Sequence, residues 1–202
     1  MSAWNIANYL TVLRIALVPV FGWFLLAHDG QSEPHRWVAF GIFTVAMITD
    51  RIDGDLARSR GLVTDFGKVV DPIADKLLVT MALVALSTIA LVPWWITVLI
   101  LVREWGVTAV RFWVIRHGVM AAGRGGKLKT MLQAMALGLY ILPLDLLPLA
   151  SVTTVIAFVL LLAALVVTAV TGVDYVIDAL RLRQTSERAA MKRARRAGQG
   201  GS

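Results

Sequence analysis

Asp50-Arg51-Ile52-Asp53-Gly54-Asp55-Leu56-Ala57-Arg58, then, after eight more residues, Gly67-Lys68-Val69-Val70-Asp71-Pro72-Ile73-Ala74-Asp75, is the stretch on which the rest of the chain turns. It places a cluster of acids between two long apolar segments. A helix over residues 36–58 puts Asp50 and Asp53 three apart on one face. Gly54 and Ala57 fall on nearly the same side, so small side chains flank the acids and leave a ligand room to approach the backbone. Asp71 and Asp75 are four apart and share a face at the start of the next helix. A tight turn between the two helices would bring both pairs together.

Four converging carboxylates repel one another unless cations lie between them. Hard oxygen donors suit Mg2+ or Mn2+, and four carboxylates are enough for two ions about 3.5–4 Å apart. The plainer reading makes these acids helix caps and solvated loop residues. Asp71 before Pro72 does look like an N-cap followed by a favourable first helical residue.

Composition bounds the class. Of 202 residues, 58% are hydrophobic and 16% charged, and mean hydropathy is +0.74. Soluble domains sit nearer 45–50% apolar and about 25% charged, so one membrane domain is the natural reading. There is no cysteine, hence no disulfide and no thiol chemistry. The net charge of +7 in so apolar a chain points to anionic lipid or phosphorylated substrates and away from nucleic acid.

The flanking segments follow in order. Residues 1–8 lack a basic leader and a small-residue cleavage site, so the apolar run from about Asn8 to Ala27 reads as a retained helix. Trp4 and Tyr9 suit an interface, and Arg14 must snorkel or point into a bundle. Residues 28–36 read as an exposed polar loop containing His28, His35 and Arg36. A second run, about Trp37 to Ile48, continues into the acidic stretch. A third spans Leu77 to Val92, and Pro93-Trp94-Trp95 makes an interfacial turn.

The fourth run continues to about Ile115 and carries Arg103, Glu104 and Arg111. Charges in mid-span are functional candidates by default, although a Glu–Arg pair that merely holds the bundle fits too. Residues 116–129 form a basic, glycine-rich loop with Lys127 and Lys129. No Ser or Thr directly follows Lys127, so it is not a Walker loop. Two lysines at a helix N-terminus suit a phosphate. A fifth run covers about Met131 to Leu144 and a sixth Ser151 to Val173. The basic tail from Arg181 reads as a fraying helix extension.

Asp50, Asp53-Gly54, Ala57-Arg58, Gly67, Asp71 and Asp75 together resemble the signature of the CDP-alcohol phosphatidyltransferases, matching all eight fixed residues over 26 positions. Asn5, Asn8, Leu10, Thr11 and Arg14, then Arg103-Glu104-Trp105 with Arg111, then Gly126-Lys127-Leu128-Lys129-Thr130 with Gln133, resemble the branch that uses glycerol 3-phosphate. The resemblance implies an all-α integral membrane fold, a six-transmembrane-helix bundle. It implies that Asp50, Asp53, Asp71 and Asp75 hold Mg2+ or Mn2+, as two ions, with Asp75 also the general base. It implies that Asn8, Gly54, Ala57 and Arg58 bind CDP-diacylglycerol, and that family members commonly form homodimers.

A phosphorylated acceptor brings a second anion, for which Arg103, Arg111, Lys127 and Lys129 are the available cations. Those cations favour glycerol 3-phosphate over serine or inositol, and leave open inositol phosphate or phosphatidylglycerol. From another class, a small cation transporter would use the same acids as a pathway. Lys and Arg concentrate in loops two–three and four–five and in the tail. Six spans with both termini and the acidic site on the cytoplasmic side of the cell membrane follow from that asymmetry. Residues 1–183 form the membrane domain and 184–202 the basic tail.

Overall fold

The structure, a computed structural model, describes the backbone of residues 6–59, 65–114, 125–146 and 150–199. It describes side chains over 9–50, 70, 73–74, 76–110, 128–144 and 150–177. Among these residues there are six α-helices and no strand: α1 (Ile6–Leu26), α2 (Glu33–Ser59), α3 (Asp65–Thr88), α4 (Trp94–Val114), α5 (Gly125–Ile141) and α6 (Ala150–Gln199). Helix α1 lies against α2 and α3, and α6 against α4 and α5. The two trios meet where α2 and α3 touch α5 and where α3 packs on α4.

Apolar residues fill the seam. Phe21, Phe43, Leu83, Ile100, Leu137 and Leu161, one from each helix, are all at most 3% exposed, and the rings of Phe21 and Phe43 lie 6.0 Å apart. The outer face is apolar as well. Tyr9–Gly30 and Ala150–Ile177 are long and apolar enough to cross a membrane, and only about a third of each is buried within the chain. Val155, Val159, Val166 and Val170 stand exposed on α6. A helix that is apolar on its outer as well as its inner face belongs in lipid. Trp23, Trp37, Trp94 and Trp95, all exposed, gather where α1 ends and α2 and α4 begin, as an interfacial belt does.

Three boundaries differ from the sequence reading. Helix α3 begins at Asp65, six residues before Asp71. Asp71 therefore lies in the second turn and is not a cap. Helix α5 begins at Gly125, which lifts Lys127 and Lys129 out of a loop and onto its first turns. Helix α2 begins at Glu33, so Arg36 belongs to a helix and not to an exposed loop.

Arg36 is only 1% exposed. Its guanidinium donates to the carbonyls of Tyr140 (2.6 Å), Leu142 (2.7 Å) and Ile141 (3.2 Å). Tyr140 and Ile141 carry the last carbonyls of α5 and Leu142 directly follows it; carbonyls there have no partner within the helix and lie at the negative end of its dipole. The α1–α2 reversal is made by His28 and Asp29, both at φ 54°, and by Gly30 at φ 72°. A Cβ on Gly30 would come within 2.6 Å of Ile89 Cδ1, so both backbone and space call for glycine there.

Candidate functional site

Alternation of helix direction brings one end of the bundle together. The N-terminus of α1, the close of α2, the start of α3, the close of α4 and the start of α5 all lie there. Of the acids, Asp50 and Asp53 sit on the closing turns of α2, and Asp71 and Asp75 on the opening turns of α3. Gly54, Ala57 and Arg58 share the end of α2, and Asn8 the first turn of α1. The side chains of these residues other than Asp50 lie outside the described residues, as do those of Arg111 and Lys127. Among the described residues no group of three acids or histidines is placed to hold a metal.

Asp50 is fixed from α1. Arg14, 2% exposed, points into the bundle and donates from Nη1 to Asp50 Oδ1 at 2.5 Å. An arginine carried into an apolar helix needs an anion, and the first acid of the stretch supplies it. The second Asp50 oxygen accepts no bond among the described residues, and the side chain is 35% exposed.

A second ionic centre lies one turn deeper. Glu104, 8% exposed, is the meeting point of three cations from three helices. Lys129 of α5 forms a very short ion pair with Glu104 Oε1, and Arg103 Nη1 reaches the same oxygen at 3.2 Å. Lys76 Nζ of α3 donates to the Glu104 carbonyl at 2.8 Å and lies 4.0 Å from Oε2. Arg103 also clamps α6, donating from Nε to the Thr168 carbonyl and from Nη2 to Thr171 Oγ1, both at 2.7 Å. Gly172 permits that approach, since a Cβ there would lie 3.0 Å from Arg103 Nε.

Beside this centre is a crevice of about 30 Å³ lined by Lys76, Thr80, Glu104, Lys129, Thr130 and Gln133. On the outer side of α2 and α5 lies an apolar groove of about 400 Å³, lined by Phe40, Met47, Ile48, Met135, Gly138 and Leu139 among others. The groove is open along its length and almost wholly apolar, so it suits a hydrocarbon chain.

Sequence reasoning placed Arg103 and Lys129 as candidates, and both meet at Glu104. It passed over Lys76, although a lysine directly after Asp75 in an apolar run was a usable signal. It quoted Gln133 only as part of a resemblance, and Gln133 is 4% exposed in the crevice.

Known proteins resemble the chain over most of its length. A profile of the CDP-alcohol phosphatidyltransferase family matches residues 4–174. A protein of Mycobacterium tuberculosis (strain ATCC 25618 / H37Rv) named probable phosphatidylglycerophosphate synthase is 52% identical over 186 residues, covering 90% of this chain and 87% of that protein. The CDP-diacylglycerol–glycerol-3-phosphate 3-phosphatidyltransferase of Bacillus subtilis (strain 168) is 39% identical over 181 residues, 85% of this chain and 93% of that one. The protein of that name from Rickettsia typhi (strain ATCC VR-144 / Wilmington) is 42% identical over 142 residues, 68% of this chain and 76% of its own. The matched span runs from the start of α1 to the exposed part of α6, across both ionic centres, and the chain belongs to the CDP-alcohol phosphatidyltransferase family.

Proposed function

We propose that the chain transfers the phosphatidyl group of CDP-diacylglycerol to sn-glycerol 3-phosphate, giving phosphatidylglycerol phosphate and CMP. The observation that carries this reading is the Glu104 centre. Three cations around one carboxylate leave an excess of positive charge one turn from the aspartate stretch, where a phosphorylated acceptor needs it. Serine or free inositol would give that excess nothing to neutralise. The names of the relatives point to the same acceptor.

The acceptor hydroxyl attacks the phosphorus that bears the diacylglycerol. Its new P–O bond replaces the bond to the cytidine phosphate, whose bridging oxygen leaves with CMP. Asp75 takes the hydroxyl proton and later gives it to solvent. Asp50, Asp53, Asp71 and Asp75 are an all-oxygen donor set that suits Mg2+ or Mn2+, and Arg14 engages only one oxygen of Asp50, which fits that use. Two such ions, when bound, neutralise the diphosphate and stabilise the departing CMP. Arg14 holds Asp50 in place. Arg58 pairs with the nucleotide phosphate, Gly54 and Ala57 leave it room, and Asn8 reaches the nucleotide. An acyl chain occupies the α2–α5 groove.

Lys127, Lys129 and Arg111 bind the acceptor phosphate. Arg103 has three of its five N–H donors on the protein, which leaves two for that phosphate. The six helices are six spans of the cell membrane. The site and both termini face the cytoplasm, in line with the distribution of Lys and Arg, and the basic end of α6 lies over anionic lipid. The enzyme works as a homodimer.

The test is CMP release by purified protein given CDP-diacylglycerol, Mg2+ and one acceptor at a time. Release with glycerol 3-phosphate is expected, and release only with inositol phosphate or phosphatidylglycerol would refute the assignment. Cation flux in vesicles without CMP release would replace it with a transporter. Asp71→Asn should reduce release below about 1% of wild type while the helical content stays unchanged, as expected when a transition-state ligand is lost.

A further inference from the structure

We propose that Gln133 donates a hydrogen bond to a phosphate oxygen of the acceptor and so selects a phosphorylated acceptor; this rests on the reading just given. Gln133 is 4% exposed, and its Nε2 is buried with no hydrogen-bond partner among the described residues. A buried amide N–H₂ without an acceptor is costly, and such groups are rare unless something absent from the folded chain completes them. Gln133 lines the crevice that also holds Lys76, Lys129 and Glu104.

The balance of donors and acceptors there identifies the missing group. Ammonium groups only donate, so Lys76 and Lys129 offer the Gln133 N–H₂ group no acceptor. The strong acceptor among the described lining residues is the Glu104 carboxylate, which already receives Lys129 and Arg103. The Thr80 hydroxyl receives Trp105 Nε1 at 3.3 Å. The crevice thus collects donors faster than acceptors, and its charge is positive. A dianion with several acceptor oxygens corrects both at once. At about 30 Å³ the space admits one oxygen-sized group beside Gln133, with the rest of the ligand projecting toward the mouth.

Position supports the assignment. Lys76 follows Asp75 directly, and Met47, which also lines the crevice, precedes Asp50 by three residues. On helix geometry the crevice therefore starts within about 5 Å of the level of those acids. A small phosphomonoester held at Lys129 and Gln133 can still present its far hydroxyl to the aspartate stretch.

The test compares wild type with Gln133→Leu and Gln133→Met, in the same detergent. Both variants should raise the KM for glycerol 3-phosphate ten- to a hundredfold, the usual range for a lost hydrogen bond to a charged group. The KM for CDP-diacylglycerol should be unchanged. The unfolding temperature without acceptor should hold or rise, because an unsatisfied donor has been removed. Glycerol 3-phosphate and inorganic phosphate should each raise that temperature in wild type and fail to do so in the variants, whereas glycerol should have no effect on any of them. An unchanged acceptor KM would overturn the proposal. So would a lower unfolding temperature, or failure of both variants to fold, since Gln133 would then be completed by a buried water and serve structure alone. A wild type that releases CMP only with another acceptor would overturn the assigned reaction, an outcome distinct from a fully active Gln133→Leu.

Discussion

Two buried cationic sites lie toward opposite ends of the bundle, and they are built on opposite principles. At Arg36 one guanidinium donates to three backbone carbonyls at the close of α5; the acceptors are backbone atoms of one helix end, and the contact clamps α2 to α5. At Glu104 two lysines and an arginine converge on one carboxylate, and the buried Gln133 amide nearby has no acceptor among the described residues. Burial of charge therefore does not by itself mark function. A cluster of cations that lines a crevice does, because the crevice leaves room for a further anion to balance them.

The widest separation between the sites should come from Glu104→Gln. Removing the carboxylate leaves Lys129, Lys76 and Arg103 facing one another, and breaking a buried pair costs about 3–5 kcal/mol. Thermal unfolding in detergent should register that loss. The protein that remains folded should show at least a tenfold higher KM for glycerol 3-phosphate, because Lys129 has lost its anchor. A fall in stability with normal acceptor KM would place Glu104 in the same class as Arg36.

Arg36→Met is the matched control. It removes charge-assisted bonds to the α5 carbonyls and should cost about 3 kcal/mol of stability. Its KM for either substrate should stay within twofold of wild type, as steady-state assay of the folded fraction would report. A shifted acceptor KM would break the contrast by coupling the two ends. Smaller still, Arg111→Ala should raise the KM for glycerol 3-phosphate about tenfold, equivalent to about 1.4 kcal/mol, with stability nearly unchanged. An unaltered KM would remove Arg111 from the acceptor site.

Legibility in the sequence followed the range of the interactions. The acidic stretch is local, its spacing is fixed by helix periodicity, and it sufficed to identify the family and to place Asp50, Asp53, Asp71 and Asp75 on adjoining helix ends. Arg14 could be read as an arginine in need of a partner, but only the α1–α2 packing names Asp50. Arg36 was misread as a loop residue because its acceptors lie 104 to 106 residues away, and a charged residue next to a Gly–Pro-containing segment ordinarily signals solvent. Lys129, a phosphate-binding candidate from sequence, falls in a loop on that reading for a related reason: glycine at residues 125 and 126 suggests a turn, yet α5 already starts there. The Glu104 centre draws on α3, α4 and α5 at once, so no single stretch encodes it.

Arg103 stands between the two cases, and Gly172→Ala is the gentlest way to place it. Arg103 clamps α6 through Thr168 and Thr171, as Arg36 clamps α5, yet it also touches Glu104. The new Cβ would lie 3.0 Å from Nε and 3.1 Å from Cγ of Arg103, so the guanidinium must shift by a few tenths of an ångström. Alanine gains about 0.8–1 kcal/mol over glycine in helix propensity, which offsets the crowding, and the unfolding temperature should barely move. Stability is therefore uninformative here and the acceptor KM is the readout. A guanidinium with two donors left for phosphate loses alignment when displaced, and bidentate recognition is sensitive to geometry. The KM for glycerol 3-phosphate should rise about threefold, corresponding to roughly 0.6 kcal/mol, and a value equal to wild type would assign Arg103 to the scaffold with Arg36.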